Sequence, residues 1–161
     1  MIRIMVAYDR LRGIAKQGFQ PWNIPEDEAY FASYTKQFGA TLLVGSTTLK
    51  VMGGPLPGRT NYVLTSQNTP IEGATIVNNL EEFLKQFHDT DLWVIGGTMV
   101  YDQCLELGVI DEIYATAIDA DFGCDQFFPQ VGDQYELVNQ SDAQQQNGFN
   151  FRYEIYSRAA A

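Results

Sequence analysis

An acidic residue heads a run of aromatic residues that recur at helical spacing. The aromatic residues that would share one helix face with Asp27 are Tyr30, Phe31, Tyr34 and Phe38. Pro25 suits the first turn of such a helix, because it has no amide hydrogen to leave unpaired there. A carboxylate on an apolar face loses hydration unless a partner or a proton compensates, which suits it to acid–base chemistry. The alternative is that Glu26, Asp27 and Glu28 simply occupy a first turn, where the helix dipole favours negative charge.

Two strand-to-helix junctions carry a second chemical signal. In residues 92–101 an apolar strand runs into Gly96-Gly97 and directly into a helix, and in residues 41–48 a strand ends at Gly45 before Ser46-Thr47-Thr48. Glycine lets a phosphate approach the backbone amides and the positive end of a helix dipole, and the hydroxyls can cap a helix or hold an anion. Two such junctions suit a dinucleotide. Neither contains GxGxxG, and a glycine before a helix also serves as a tight turn alone.

The elements that must position these residues alternate along the first two thirds of the chain. Predicted strands cover residues 2–7, 41–44, 61–64 and 92–95, and predicted helices cover 25–38, 47–52, 80–87 and 99–107. After Gly108 strands follow at 113–118, 135–141 and 149–157, the last two joined through the turn signal Asn147-Gly148. We therefore predict a single-domain α/β fold, with a mostly parallel central sheet flanked by helices and an antiparallel C-terminal hairpin.

The length of the chain and its cysteine content limit the number of domains and the kinds of site that we expect. A chain of 161 residues fits one domain, predicted over residues 1–158, with residues 159–161 as a disordered or artificially added tail. The sequence contains neither an 18-residue apolar run nor a signal peptide, so we expect a cytoplasmic protein without a membrane partner. Cys104 and Cys124 lack CxxC or disulfide spacing, and there is one histidine, so no metal site is expected. Cys104 is interpreted as a helix-packing residue.

The net charge of −10 argues against a nucleic-acid partner. Residues 1–59 hold seven Lys and Arg against four acidic residues, while residues 60–161 hold three against sixteen. An anionic ligand would therefore be drawn to the N-terminal part or to backbone amides. For most of the acidic residues the alternative is a surface that serves solubility.

Four segments together resemble the dihydrofolate reductase family. They are residues 18–27 (GFQPWNIPED), 53–61 (GGPLPGRTN), 94–101 with their Gly-Gly turn, and 125–129. They follow the family's order across nearly the whole chain. The resemblance implies hydride transfer from NADPH to dihydrofolate, giving tetrahydrofolate for one-carbon metabolism. It also implies a monomer that binds dihydrofolate and antifolate-type small molecules.

The same resemblance implies roles for individual residues. Asp27 matches the acid that binds the pterin edge and promotes protonation, Thr116 the threonine that supports this acid, and Trp22 the tryptophan that helps order a water. Arg59 matches the arginine that grips the substrate's α-carboxylate, with a surface arginine after a turn as the alternative. The implied substrate positions are Met5, Ala7, Asp27, Glu28, Phe31, Met52, Leu56, Arg59 and Thr116. The implied cofactor positions are Ala7, Ile14, Gln20, Gly45, Ser46, Thr47, Thr48, Leu64, Thr65, Ser66, Ile95, Gly96, Gly97, Thr98, Met99, Val100 and Tyr101.

The sequence departs from the family pattern in four places. Where the family usually offers arginine after the first glycine, the chain has Ser46-Thr47, and Asn78 and Met99 also lack the charge that some members carry, which puts the strength of the NADPH preference in question. Glu28 places a second acid beside Asp27, and like charges raise a carboxyl pKa. Unusual residues also occupy the active-site loop and the loop that packs against it: Ala15, Gln20 and Cys124.

The sequence leaves two other functions open. One is a reductase on a related fold that acts on a different pteridine or pyrimidine, which would not need Arg59. The other is a folate or nucleotide binding module with impaired turnover, against which the intact Asp27 argues.

Overall fold

The computed structural model describes residues 1–37 and 40–159, without the side chain of Gln37. The strands in chain order are β1 (Ile2–Tyr8), β2 (Gly13–Ala15), β3 (Thr41–Gly45), β4 (Thr60–Leu64), β5 (Ala74–Val77), β6 (Leu92–Val94), β7 (Glu112–Ile118), β8 (Gln126–Phe127), β9 (Tyr135–Gln140), β10 (Gln144–Gln146) and β11 (Phe149–Arg158). The helices are α1 (Pro25–Gln37), α2 (Ser46–Val51), α3 (Leu80–Leu84) and α4 (Thr98–Glu106), and a 3₁₀ turn spans Gly132–Gln134.

Nine strands form one sheet, in the order β10-β11-β7-β1-β6-β3-β4-β5, with β9 also paired to β11. The pairs from β7 through β1, β6, β3 and β4 to β5 are all parallel, whereas β11 runs antiparallel to β7, β9 and β10. Strands β2 and β8 form a separate two-stranded ribbon. The predicted fold class is therefore confirmed. In a parallel sheet the carboxyl ends of adjacent strands meet at one edge, where ligands of such folds bind.

The central strand β1 divides the core into two sides, because successive strand side chains point to opposite faces. Ile4 and Val6 belong to a large cluster that also contains residues of α3 and α4. Met5 packs with Leu42 and Trp93 on the other face, where aromatic residues of α1 cover the cluster. Ala7 also faces this second side, in a smaller cluster with Trp22 and Ile24. The alternation thus turns Met5 and Ala7 toward α1.

The structure adds four short strands to the predicted elements: β2, β5, β8 and β10. β5 has four residues at the sheet edge, β2 and β8 have three and two, and β10 consists of glutamines, so none shows the apolar alternation of a longer strand. Helix α3 ends at Leu84 rather than at residue 87, because Gln86 and Phe87 donate to carbonyls three residues earlier in tight turns. Phe38, the last residue of the predicted stripe, lies outside the described residues.

The C-terminal end of the predicted domain is held by backbone contacts. The N–H of Ala159 donates to the carbonyl of Gln134 at 2.8 Å, and the Arg158 N–H donates to Asp111 at 3.0 Å. Residues 160 and 161, the rest of the predicted tail, lie outside the described residues. No helix within the described part of the chain is long and apolar enough to cross a membrane.

Candidate active site

A cavity of about 500 Å³ opens where β1 approaches α1, α2 and the turn after β6. Residues far apart in the sequence line it together, among them Asp27, Thr116 and the Gly96-Gly97 turn. The predicted site residues that line the cavity are Met5, Ala7, Ile14, Gln20, Asp27, Glu28, Phe31, Thr47, Thr48, Met52, Ile95, Gly96, Gly97, Tyr101 and Thr116. The volume and the mixture of apolar walls with a few polar groups suit a small organic ligand.

Asp27 is the acidic centre of this cavity. The Thr116 Oγ1 hydroxyl, in β7, donates to Asp27 Oδ1 at 2.5 Å. Burial raises the pKa of Asp27 to about 6, the hydrogen bond from Thr116 opposes this rise, and the negative charge of Glu28 adds to it. Burial disfavours the charged carboxylate more than one hydroxyl donor can favour it. The group is therefore able to exchange a proton near neutral pH.

The neighbouring acids of the first turn behave differently. Glu26 and Glu28 are exposed, whereas the side chain of Asp27 is largely withdrawn from solvent. The backbone N–H of Asp27 donates to the carbonyl of Ile24, so a helical turn begins before Pro25. The helix-dipole alternative describes Glu26 and Glu28, but it does not explain why an acid meets Thr116 in a cavity.

Trp22 and Arg59 lie beside the cavity rather than in its wall. Trp22 is 8% exposed and packs against Phe122, with 5.3 Å between the ring centroids. Within the described residues its buried Nε1 has no hydrogen-bond partner, which fits an ordered water at this donor. Arg59 donates from Nε to Thr35 Oγ1 and from Nη1 to the Pro57 carbonyl, both at 3.0 Å.

The contact with Thr35 places Arg59 far along α1 from the acid. Thr35 follows Asp27 by eight residues, which is about 12 Å along a helix. The arginine is partly exposed, and burial lowers its pKa from the usual range without removing its charge. Leu56, a predicted substrate residue that is also outside the cavity wall, packs on the cluster that contains Met5 and Trp93.

The two glycine junctions of the sequence meet in space. The N–H of Gly45, at the end of β3, donates to the carbonyl of Gly96 at 2.8 Å. A Cβ on Gly97 would lie 2.8 Å from Thr48 Oγ1, and Gly96 has a φ of +126°, so larger residues are excluded from this turn. The Thr98 hydroxyl, at the start of α4, is buried without a hydrogen-bond partner among the described residues. A close-approach turn beside an unpaired hydroxyl and free helix amides fits a phosphate-bearing cofactor.

The remaining predicted cofactor residues stand outside the cavity wall: Gly45, Ser46, Leu64, Thr65, Ser66, Thr98, Met99 and Val100. Val100 is buried in the core, so its backbone, not its side chain, is available to a ligand, whereas Met99 is 72% exposed. The backbone of Thr65 is fixed by Asn78, whose Nδ2 donates to the Thr65 carbonyl at 2.7 Å. Tyr101 donates its hydroxyl to the Met5 carbonyl at 2.8 Å and so ties α4 to β1.

Five cavity residues were absent from the predicted site: Val6, Ala15, Gly18, Val51 and Gln126. Val51 precedes Met52 at the end of α2, and Gln126 follows Asp125 in the last of the four family segments. These two positions had a signal in the neighbouring residue. The strand alternation predicts that Val6 points away from the site, and its side chain does pack in the core on the other face of the sheet.

The active-site loop that begins at Asp9 is tied to the loop around residue 124. Buried Asp9 accepts hydrogen bonds from the N–H groups of Gly13, at 2.7 Å, and Phe122, at 3.1 Å. A Cβ on Gly13 would lie 2.5 Å from the Cβ of Cys124, so the two residues fit only as a glycine against a larger side chain. The absence of a side chain at Gly13 thus leaves room for Cys124.

A sequence model of the dihydrofolate reductase family matches residues 1–158. The chain belongs to this family. A dihydrofolate reductase of Bacillus subtilis strain 168 is 31% identical over 163 residues, which cover 98% of this chain and 95% of that protein. One of Aedes albopictus is 28% identical over 181 residues, which cover 96% of each chain.

A solved structure gives the same assignment. Dihydrofolate reductase from Enterococcus faecalis, complexed with NADP(H) and RAB-propyl, superposes with a TM-score of 0.88 at 29% identity, over 99% of this chain and 97% of that one. The predicted family resemblance is therefore confirmed.

Proposed function

We infer that this protein reduces 7,8-dihydrofolate to 5,6,7,8-tetrahydrofolate with NADPH, in one-carbon folate metabolism. The observation that carries the inference is the Asp27–Thr116 pair in the cavity of a chain that belongs to the dihydrofolate reductase family. An NADP(H) complex of a relative with the same fold supports the cofactor. Antifolate-type inhibitors are expected at the same cavity.

Asp27 is proposed to hold the substrate and to promote its protonation. Its carboxylate offers two oxygen acceptors to the amidine-like edge of a pterin, and Thr116 fixes one of them. With a pKa of about 6, the Asp27 carboxyl group is protonated in roughly a tenth of the unliganded molecules at pH 7. When bound, NADPH supplies the hydride, and the protein has to deliver the accompanying proton. Trp22 Nε1, which has no hydrogen-bond partner in the described part of the chain, is proposed to hold a water near this acid.

The cofactor is proposed to lie across the two glycine junctions. The Gly96-Gly97 turn and Thr98 would receive phosphate at the start of α4, and Thr48 faces the same turn. Thr65 and Ser66, at the end of β4, would hold the adenosine side. Arg59 is proposed to bind the glutamate α-carboxylate of the substrate, since its contacts with Thr35 and Pro57 hold the guanidinium beside α1.

The proposal also includes the domain organisation, the oligomeric state and the location of the protein. The polypeptide from residue 1 to residue 158 is taken as one domain that works as a monomer in the cytoplasm. Size-exclusion chromatography with light scattering at micromolar concentration tests the monomer. A mass of 36 kDa, twice the chain mass of 18.1 kDa, would contradict it.

The test of the activity follows the loss of NADPH absorbance with and without dihydrofolate. We expect consumption that depends on dihydrofolate, and a loss of about 10²–10⁴-fold in the hydride-transfer rate at pH 7 for Asp27→Asn. Glu26→Gln removes the preceding exposed acid and serves as the matched control, with a rate close to that of the unmodified protein. A rate that Asp27→Asn leaves unchanged from pH 5 to pH 9 would contradict the role of this acid.

The assay also separates the two other functions. Oxidation of NADPH with a pteridine that lacks the glutamate tail, but not with dihydrofolate, would indicate a different pteridine reductase. Binding of both ligands without oxidation would indicate a binding module.

A further inference from the structure

A tyrosine close to Asp27 carries a hydroxyl whose surroundings need an explanation. Within the described part of the chain, the Tyr153 hydroxyl has no hydrogen-bond partner, although it is shielded from solvent. A buried polar group without a partner loses its hydration and gains nothing in return, so native proteins pair such groups with protein atoms or ordered water. The ring itself is well held, because it stacks on Tyr30 with 3.9 Å between centroids and an interplanar angle of 16°.

The sheet register brings this hydroxyl toward Asp27. Tyr153 in β11 is directly opposite Thr116 in β7, so the two side chains project from the same face with Cβ atoms about 5 Å apart. Thr116 reaches Asp27 Oδ1, and Tyr30 follows Asp27 by three residues on α1. Tyr153 therefore contacts Tyr30 and stands beside Thr116, the two residues that flank the acid. Burial raises the pKa of Tyr153, and the negative charges of Asp27 and Glu26 raise it further.

We propose that Tyr153 is a positioning residue for the proposed reduction, whose hydroxyl holds the Asp27 carboxylate through one bridging water. Thr116 occupies Oδ1, which leaves Oδ2 of Asp27 to receive the second hydrogen bond. A water between two polar groups bonds nearly as well as a direct contact, and it satisfies the hydroxyl of Tyr153.

The sign of the effect follows from the state that the hydrogen bond favours. A donor to the carboxylate stabilises the charged form and lowers its pKa, so the loss of the hydroxyl raises the pKa of Asp27. The titratable groups that interact with Asp27 are Glu28 and Tyr30 from α1 and Tyr153 from β11. One contact further out, Glu26 faces Tyr153, while Tyr34 and Tyr114 face Tyr30. Tyr153→Phe removes one hydroxyl from this set and leaves the stacked ring in place.

The experiment titrates the side-chain carboxyl groups of the unliganded protein by ¹³C NMR, with Asp27 assigned by its absence from Asp27→Asn. We expect the Asp27 midpoint to rise by about 0.5–1 unit in Tyr153→Phe, which at 1.36 kcal/mol per unit is roughly 0.7–1.4 kcal/mol, the net value of one ordinary hydrogen bond. Tyr156→Phe is the matched control. This variant removes another tyrosine hydroxyl of β11, one that donates to Glu154, and it should leave the midpoint of Asp27 unchanged.

Three results would overturn the proposal: an Asp27 midpoint that stays or falls in Tyr153→Phe, an equal rise in Tyr156→Phe, or a shift of Glu26 instead of Asp27. A second arm follows single-turnover hydride transfer against pH, in which the midpoint should rise in Tyr153→Phe while the plateau at low pH is kept. The turnover arm rests on the proposed function, whereas the NMR arm does not. If the protein fails to reduce dihydrofolate but the NMR midpoint still rises, the proposed function is wrong and the water-mediated hydrogen bond between Tyr153 and Asp27 stands.

Discussion

Replacing Asp27 with Asn should stabilise the fold, and the gain should grow as the pH rises. Burial raises the pKa of the folded carboxyl to about 6 from its ordinary 3.8. A group whose folded pKa is raised gives its full stability below the unfolded value of 3.8, and this stability is lost as the pH rises through about 6. Asparagine keeps an oxygen that can accept the hydrogen bond from Thr116 and carries no charge to desolvate.

The size of the effect follows from the shift. A difference of about two units is worth about 3 kcal/mol, which is the full cost of the charged Asp27 above pH 7. The unfolded chain already releases its proton near pH 4, so roughly half of this cost is present at pH 5. The part that appears between pH 5 and pH 8 is therefore about 1.4 kcal/mol. The isoelectric point of about 4.3 makes lower pH values unsuitable, because uncharged protein associates.

Urea unfolding of both proteins at pH 5, 6, 7 and 8 measures this quantity as the difference in their free energies of unfolding. Taking the difference cancels the other titrating groups, which the two proteins share. Glu26→Gln is the control, since its side chain stays in solvent when the chain folds. A difference between Asp27→Asn and the unmodified protein that stays constant from pH 5 to pH 8 would refute the assignment of a raised pKa to Asp27.

The remaining predictions concern the two ends of the cavity. Arg59→Ala should lower kcat/KM for dihydrofolate, mainly by raising KM. The loss in transition-state stabilisation should be roughly 1.5–3 kcal/mol, because the variant lacks a charged hydrogen bond to the glutamate carboxylate. A pteridine without the glutamate tail should be unaffected, and equal losses for both substrates would indicate a structural role through Thr35. Neutral donors hold phosphate less strongly than a guanidinium, so NADPH should be preferred over NADH by less than in relatives with arginine after Gly45, and Ser46→Arg should widen the ratio of their kcat/KM values. An unchanged ratio would mean that Ser46 does not face the 2′-phosphate.

Elements with a strong apolar period were predictable from the sequence. The central strand β1, the strands β3, β4, β6 and β7, and the helix that begins at Pro25 all fall within a few residues of the predicted bounds. Each of these buries a face whose spacing is visible in the sequence. Strands β2 and β8 could not be predicted in this way, because they are held by each other and by the Asp9 carboxylate rather than by an apolar face of their own.

Site residues could be predicted from the sequence where their type and position are unusual for a purely structural role. They were harder to predict where the packing of helices on the sheet determines which side chains are in contact and which are exposed. Paired glycines after β6 and an acid at the head of an aromatic stripe are of the first kind. The contact of Arg59 with Thr35, and the exposure of Met99 against the burial of Val100, depend on how helices sit on the sheet. A one-dimensional pattern gives the spacing of residues along a helix but not the rotation of that helix about its axis.

Asp27 shows why chemistry could be suggested by the sequence but not assigned by it. Three acids follow one another in the first turn of α1, and propensity treats them alike. What separates Asp27 from its neighbours is Thr116, which is 89 residues away in sequence and reaches it because β7 pairs with β1 in a register that sets Thr116 beside Ala7. The raised pKa depends on the same placement, since burial is its largest cause. A one-residue slip of β7 would turn Thr116 to the other face of the sheet, so the register of a parallel pair holds the acid ready for proton transfer.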